Sequence, residues 1–137
     1  MSITVKKASY FKVSVPNKPG QGACMLGILK DAKVNLLALT GFPRAGRAQV
    51  DFLPEDAAAF KNAARKNKIA VGEKKTAFLI RGEDKVGALF EIMEKLANAG
   101  INVTALDAVS AGTGRFGAIL WVKPQDVNKT ARLLGAK

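Results

Sequence analysis

The sequence predicts an α+β protein made of two similar βαββαβ units in tandem, and three observations carry that prediction. The chain repeats itself: Asn17-Lys18-Pro19-Gly20 through Leu39 returns about 67 residues later as Asp84-Lys85-Val86-Gly87 through Leu106. At that offset Lys18 meets Lys85, Gly20 meets Gly87, Leu29 meets Leu96, Asn35 meets Asn102 and Leu39 meets Leu106. Within each repeat the apolar pattern switches between strand and helix periods in the same order. A repeat of this length is too long for a solenoid unit and suits a small domain, so the 137 residues divide into two.

In the first repeat, Tyr10 to Val15 alternates, with Phe11, Val13 and Val15 on one side and Tyr10, Lys12 and Ser14 on the other, as in a half-buried strand. Pro16 to Gly20 is a turn, because proline fixes φ and glycine accepts conformations that other residues resist. A helix follows to about Lys33. Val34 to Phe42 reads as a strand, Arg44-Ala45-Gly46-Arg47 as a hairpin turn, and Ala48 to Leu53 as the partner strand. Pro54 is expected to open a second helix with Ala57, Phe60 and Ala64 inward, and Ile69 to Val71 to supply a short last strand.

The second repeat runs through a strand (Thr76 to Arg81), a helix (Gly87 to Ala99), a strand (Ile101 to Ala111), a turn at Gly112-Thr113-Gly114, a strand (Arg115 to Val122) and a helix (Gln125 to Leu134). The order is that of the ferredoxin-like arrangement, an antiparallel sheet with helices on one face. Domain limits of 1–73 and 74–137 follow. Only Gly135-Ala136-Lys137 remain after the last helix, too few for a fourth strand, so the strand-like segment Ser2 to Lys6, which lies outside the repeat, is expected to complete the second sheet.

Composition narrows function. Histidine is absent, which removes the commonest general base and transition-metal ligand. Acidic residues are few and scattered, so catalysis is not expected, nor is a metal or cofactor. Cys24 is the only cysteine; set among apolar neighbours in a helix, it reads as packing. No apolar run reaches the roughly 18 residues of a membrane span, and the N-terminus lacks the apolar core of a signal peptide; a cytoplasmic location away from membranes is expected. The net charge of +11 invites a nucleic-acid reading. Its one local concentration, at Lys61, Arg65, Lys66, Lys68, Lys74 and Lys75, reads first as a solvated helix face and loop.

The helices after the two turns differ on their outer faces. In the second, Leu89, Met93 and Leu96 face inward and Glu91, Glu94, Lys95 and Asn98 outward. The equivalent outer face of the first helix holds Cys24, Gly27, Ile28 and Asp31. A helical glycine costs about 1 kcal/mol against alanine, so Gly27 is expected to admit a close approach by another element, with Ile28 beside it. Strand alternation places Leu37, Leu39, Leu53, Leu79, Leu106, Ile119 and Trp121 on the sheet side away from the helices. That apolar surface predicts a homodimer or higher oligomer, anchored in part by Leu37, Leu39 and Trp121.

A strand, then Asn17-x-Pro19-Gly20, a helix, and an Asn35-Leu36 step opening the next strand together resemble the ACT domain, the small regulatory module of amino-acid metabolism. The second repeat is similar through Asp84-x-Val86-Gly87 and Asn102-Val103. The resemblance implies a tandem ACT-domain protein without a catalytic domain: a regulatory or sensor protein that binds an amino acid between the turn after the first strand and a neighbouring domain, and acts on a partner protein. It implies ligand contacts at Asn17, Lys18, Pro19, Gly20 and Asn35, and at Asp84, Gly87 and Asn102. In physical terms, Gly20 and Gly87 lie just before helices, where free N–H groups suit a carboxylate, and Asn or Asp side chains can receive an ammonium group. Serine-binding members carry a histidine two positions before the asparagine; here Val15 and Gly82 stand there, which removes one polar contact. The structural alternative is an assembly module without ligand. RNA binding is the weaker alternative: Arg115 to Trp121 faintly resembles an aromatic RNA-recognition strand, but Trp121 and Phe116 face opposite ways and the matching first-strand positions are Ala77 and Leu79.

Overall fold

Thr4–Pro16 forms one 13-residue strand, β1, where the sequence reads as two separate segments. In the computed structural model, which describes residues 3–137, the chain divides into two compact units: one holds the residues up to Ala8 together with Thr76–Lys137, the other Ser9–Lys75. The strand β1 therefore contributes to both. Ser2, the first residue of the segment expected to complete the second sheet, lies outside the described residues.

The unit Ser9–Lys75 contains the later part of β1, α1 (Gln21–Asp31), β2 (Leu36–Arg44), β3 (Arg47–Pro54) and α2 (Ala57–Lys66). β3 pairs antiparallel with both β1 and β2, with Phe11 opposite Phe52 and Val13 opposite Val50. Ala45 and Gly46 join β2 to β3 with φ of 52° and 78°, the left-handed pair whose twist suits a two-residue hairpin. The expected face of β1 forms the core: Phe11, Val13 and Val15 meet Met25 and Leu29 of α1, Phe52, and Phe60 and Ala63 of α2. Phe60 stacks on Phe11 at 5.0 Å between ring centroids and leans on Phe52 at 5.5 Å, geometries that aromatic quadrupoles favour.

Two expectations change here. Pro54 ends β3 rather than opening α2. Asp56 caps that helix, its carboxylate accepting from the Ala59 N–H at 3.1 Å, so a free helix-end donor is satisfied by an acid that reinforces the dipole. Ile69 and Val71 pack on the core but form no strand; the Gly72 N–H donates to the Lys12 carbonyl at 3.0 Å.

The other unit contains the start of β1, β4 (Lys75–Glu83), α3 (Phe90–Asn98), β5 (Val103–Ser110), β6 (Arg115–Val122), a 3-10 turn at Pro124–Asp126 and α4 (Val127–Leu134). Its strands follow the order β1-β4-β6-β5. Val5 joins Phe78, Ile80, Ile92, Leu96, Phe116 and Leu120 in the core, with Ile3, Leu89 and Met93 packed against them. The Lys7 N–H donates to the carbonyl of Lys137 at 3.1 Å, so the segment after α4 is tied to β1. The helix expected from Gly87 starts three residues later, because Ala88 N–H to Lys85 O and Phe90 N–H to Gly87 O close tight turns first.

Two of the face assignments, those of Leu39 and Leu106, are reversed, and one device explains both. Between Leu36 and Ala38 the register of β2 against β3 shifts, and between Val103 and Ala105 that of β5 against β6 shifts in the same way. Each shift marks a bulge, at Leu37 and at Thr104, equivalent positions of the repeat. One extra residue moves everything beyond it to the opposite face. Leu39 thus sits opposite Phe52, and Leu106 opposite Leu120, on the helix-bearing side. Of the others expected to be open, Leu53, Leu79, Ile119 and Trp121 are buried, Trp121 to 5% exposure, while Leu37 and Leu39 keep 40% and 44%. On α1, Cys24 is exposed rather than packed. A Cβ on Gly27 would meet nothing within 4 Å, so the close approach expected at Gly27 and Ile28 is not made in this chain.

Candidate functional site

The turn Asn17–Gly20 leaves β1 at Pro16 and delivers the chain into α1. The Lys18 N–H donates back to the Pro16 carbonyl at 3.0 Å, bending the chain sharply. Gly20 then adopts φ 90°, a left-handed conformation that side chains resist. Cys24 N–H to Gly20 O, at 3.0 Å, is the first helical hydrogen bond, so the N–H groups of Gln21, Gly22 and Ala23 precede the internal ladder. No acidic side chain occupies that first turn, and no side chain caps it. Cβ atoms on Gly20 and Gly22 would meet nothing within 4 Å. The result is an exposed rim of backbone donors at a positive dipole end, beside the exposed Asn17 and Lys18.

Asn35 is not brought to this rim. β1 reaches the turn at Pro16, which is opposite Arg47 at the start of β3, while Asn35 precedes Leu36, which is opposite Pro54 at the end of β3. Seven residue steps along β3 separate the two levels, about 23 Å at strand rise. The Asn35 carbonyl accepts from the Glu55 N–H at 2.9 Å, fixing the helix-to-strand connection and leaving its exposed amide toward solvent. Asn102 stands in the same relation to the turn of the other unit, since Val103 pairs with Val122 and Glu83 with Arg115.

The turn Asp84–Gly87 is built differently. Asp84 accepts from the Ser110 hydroxyl through Oδ2 at 2.7 Å, and its N–H donates to Gly114 at 2.9 Å, so its carboxylate is already engaged by the β5–β6 hairpin. Gly87, at φ 74°, is followed by turns that use the Ala88 and Phe90 N–H groups. Beside it a cavity of about 370 Å³ opens, lined by Ile3, Lys85, Val86, Gly87, Ala88, Phe90 and Glu91. Sequence reasoning missed this hollow because Ile3 lies outside the repeat. The two positions that would hold a histidine in serine-binding ACT domains are apolar and closed: Val15 is buried, and Gly82 lies under Phe116 and Ile3.

The aromatic pair considered for RNA is not available, because Phe116 belongs to the core and Trp121 is buried. Among the described residues no group of acidic, cysteine or histidine side chains could hold a metal, and no helix is long and apolar enough to cross a membrane.

No family model and no curated protein matches the sequence. Solved structures do. Protein BT0572 from Bacteroides thetaiotaomicron is 18% identical, with a TM-score of 0.83 over 96% of this chain and 88% of its own. The ligand-free regulatory subunit of aspartate kinase from Thermus thermophilus is 14% identical, with a TM-score of 0.65 over 98% of this chain and 95% of its own. Aspartate kinase from Clostridium acetobutylicum is 13% identical, with a TM-score of 0.58 over 97% of this chain and 33% of its own. At such identities the likeness is one of fold alone, shared over nearly the whole of both chains with the regulatory subunit of aspartate kinase from Thermus thermophilus.

Proposed function

We propose that this chain is a non-catalytic regulatory protein, a tandem pair of ACT-like domains that binds a free amino acid at the Asn17–Gly20 turn and signals through a partner protein. The observation that carries the reading is the uncapped start of α1: three backbone donors behind a left-handed Gly20, with no acid in the first turn. That rim is shaped for an α-carboxylate, and Asn17 beside it offers an acceptor for the ammonium group. The likeness in fold to an aspartate kinase regulatory subunit over nearly the whole of both chains supports a regulatory role.

Asn35 lies too far along its own unit to reach the same ligand. A complete site therefore takes its asparagine from a neighbouring domain, which in this reading is supplied by a homo-oligomer. Gly27 and Ile28 on α1, with Leu37 and Leu39 at the β2 edge, are the surfaces proposed to meet there. An exposed, single cysteine fits the reducing cytoplasm.

Thermal melting in the presence of each of the twenty amino acids tests the proposal, since a ligand of the native state raises the melting temperature by mass action. One amino acid, or a small set of related ones, should raise it in a concentration-dependent way, and Asn17→Ala should remove the rise. If none does so at millimolar concentration while gel filtration still shows an oligomer, the protein is an assembly module without ligand.

A further inference from the structure

The net charge of +11 has no part in amino-acid binding, and its most organised expression is on the sheet face opposite the helices in the unit Ser9–Lys75. There, Arg44 of β2 stands directly opposite Arg47 of β3, and Asp51 directly opposite Lys12. Like charges paired across a rung destabilise a sheet. The Arg47 guanidinium is held down on the face, donating from Nε to the Ser14 hydroxyl at 2.8 Å and from a terminal nitrogen to the Ser14 carbonyl at 3.3 Å. It thus leans over β1, on the other side of β3 from Arg44, so that the two cations span the face.

Two rungs further along this face, Asp51 is its only carboxylate, with Lys12, Lys75 and Arg44 all acting on it electrostatically. Asp51 is buried and bound to Gln49 at 2.9 Å, so the exposed surface is cationic. Phe42 lies between the two charged rungs, opposite Gln49, and is 40% exposed at the edge of the sheet.

We propose that this face, with Phe42 flanked by Arg44 and Arg47 on one side and Lys12 and Lys75 on the other, binds single-stranded nucleic acid. A flat sheet that presents a ring between cations can stack an unpaired base while the cations hold successive phosphates. A duplex keeps its bases stacked internally and offers the ring nothing. An acidic peptide would satisfy the charge and leave Phe42 unused. The basic face of α2, with Lys61 and Arg65, carries charge but no exposed ring and serves as the internal control.

Fluorescence anisotropy of the full chain with a labelled 12-nucleotide oligouridylate, at several salt concentrations, tests this. Four phosphate contacts predict a slope of log K against log salt of about −3. Phe42→Ala should weaken binding roughly tenfold with the slope unchanged, Arg44→Gln with Arg47→Gln should both weaken it and flatten the slope, and Lys61→Gln with Arg65→Gln should change it less than twofold. The proposal is overturned by absence of binding at low salt. It is equally overturned by tighter binding of the same sequence as a duplex or of a polyglutamate peptide, by indifference to Phe42→Ala, or by greater dependence on the α2 pair than on Arg44 and Arg47. Circular dichroism and a melt of each variant establish that it is folded. Phe42→Leu, which keeps apolar bulk and removes the ring, should lose binding like Phe42→Ala, so a failure of the alanine variant to fold leaves the test intact.

Discussion

Gly82 and Phe116 face each other across the β4–β6 ladder, and the Phe116 ring occupies the space that a side chain at 82 would need: a Cβ there would lie 2.9 Å from its Cε1 and 2.9 Å from Ile3 Cγ1. The absence of a side chain lets Ile3, just before β1, and the Phe116 ring close over β4. Gly82→Ala should therefore destabilise the fold by about 1–3 kcal/mol, the ordinary cost of overpacking a filled site. Adding Phe116→Leu should recover part of the loss. Urea unfolding followed by the fluorescence of Trp121 measures both, and an unchanged midpoint for Gly82→Ala would contradict the packing described.

Thr130, on α4 beside the core residue Ala131, is 0% exposed, and its hydroxyl has no hydrogen-bond partner among the described residues. A buried unsatisfied hydroxyl costs roughly 1–3 kcal/mol. Thr130→Val keeps the shape and removes the hydroxyl, so it should raise stability by about 1 kcal/mol. Calorimetry showing a lower melting temperature for Thr130→Val would mean that the hydroxyl is satisfied.

Much of this was legible in the residues. The repeat fixed the element order, and the alternation in Phe11, Val13 and Val15 named the core side of β1. The bulges were not legible, because a one-residue insertion at Leu37 or Thr104 leaves no mark in composition and yet reverses the faces of Leu39 and Leu106. Nor was the separation of Asn35 from Gly20. The resemblance to the ACT domain implies ligand contacts at Asn35 and Asn102, whereas α1 carries the chain back toward the other end of the sheet before Asn35 is reached.

Burial raises the pKa of Asp51 from its ordinary value, and the Gln49 hydrogen bond and the charges of Lys12, Lys75 and Arg44 offset this only in part. With the folded value above the unfolded one, the native state binds the proton more tightly. Asp51 therefore subtracts stability at pH values above its folded pKa, and that penalty fades as pH falls toward the unfolded value. Asp51→Asn, which keeps an acceptor for Gln49, should melt higher than the parent at pH 7, with the difference closing under acid conditions. The same substitution should lower the pKa of Tyr10, which burial and then the Asp51 charge hold above its usual value. Tyr10 is the only tyrosine, so difference absorbance at 295 nm, a wavelength of phenolate absorption, follows it directly. A Tyr10 titration unmoved by Asp51→Asn would show that the charge does not reach it.

The uncapped start of α1 allows stability and ligand binding to be separated. Gly22 lies in the first turn, exposed, with nothing within 4 Å of where its Cβ would be and no positive φ. Gly22→Asp should stabilise the fold by about 1 kcal/mol, from replacing a helical glycine and placing an anion at the dipole's positive end. The same carboxylate would occupy and repel the position proposed for the ligand's own, so the variant should melt higher and lose its response to the amino acid that stabilises the parent. Gly22→Ala provides the comparison: it gives the helix-propensity part of the gain and leaves the N–H groups open. If Gly22→Asp keeps the full amino-acid response, the ligand carboxylate does not sit at this rim, and the Asn17–Gly20 turn is a structural connection only.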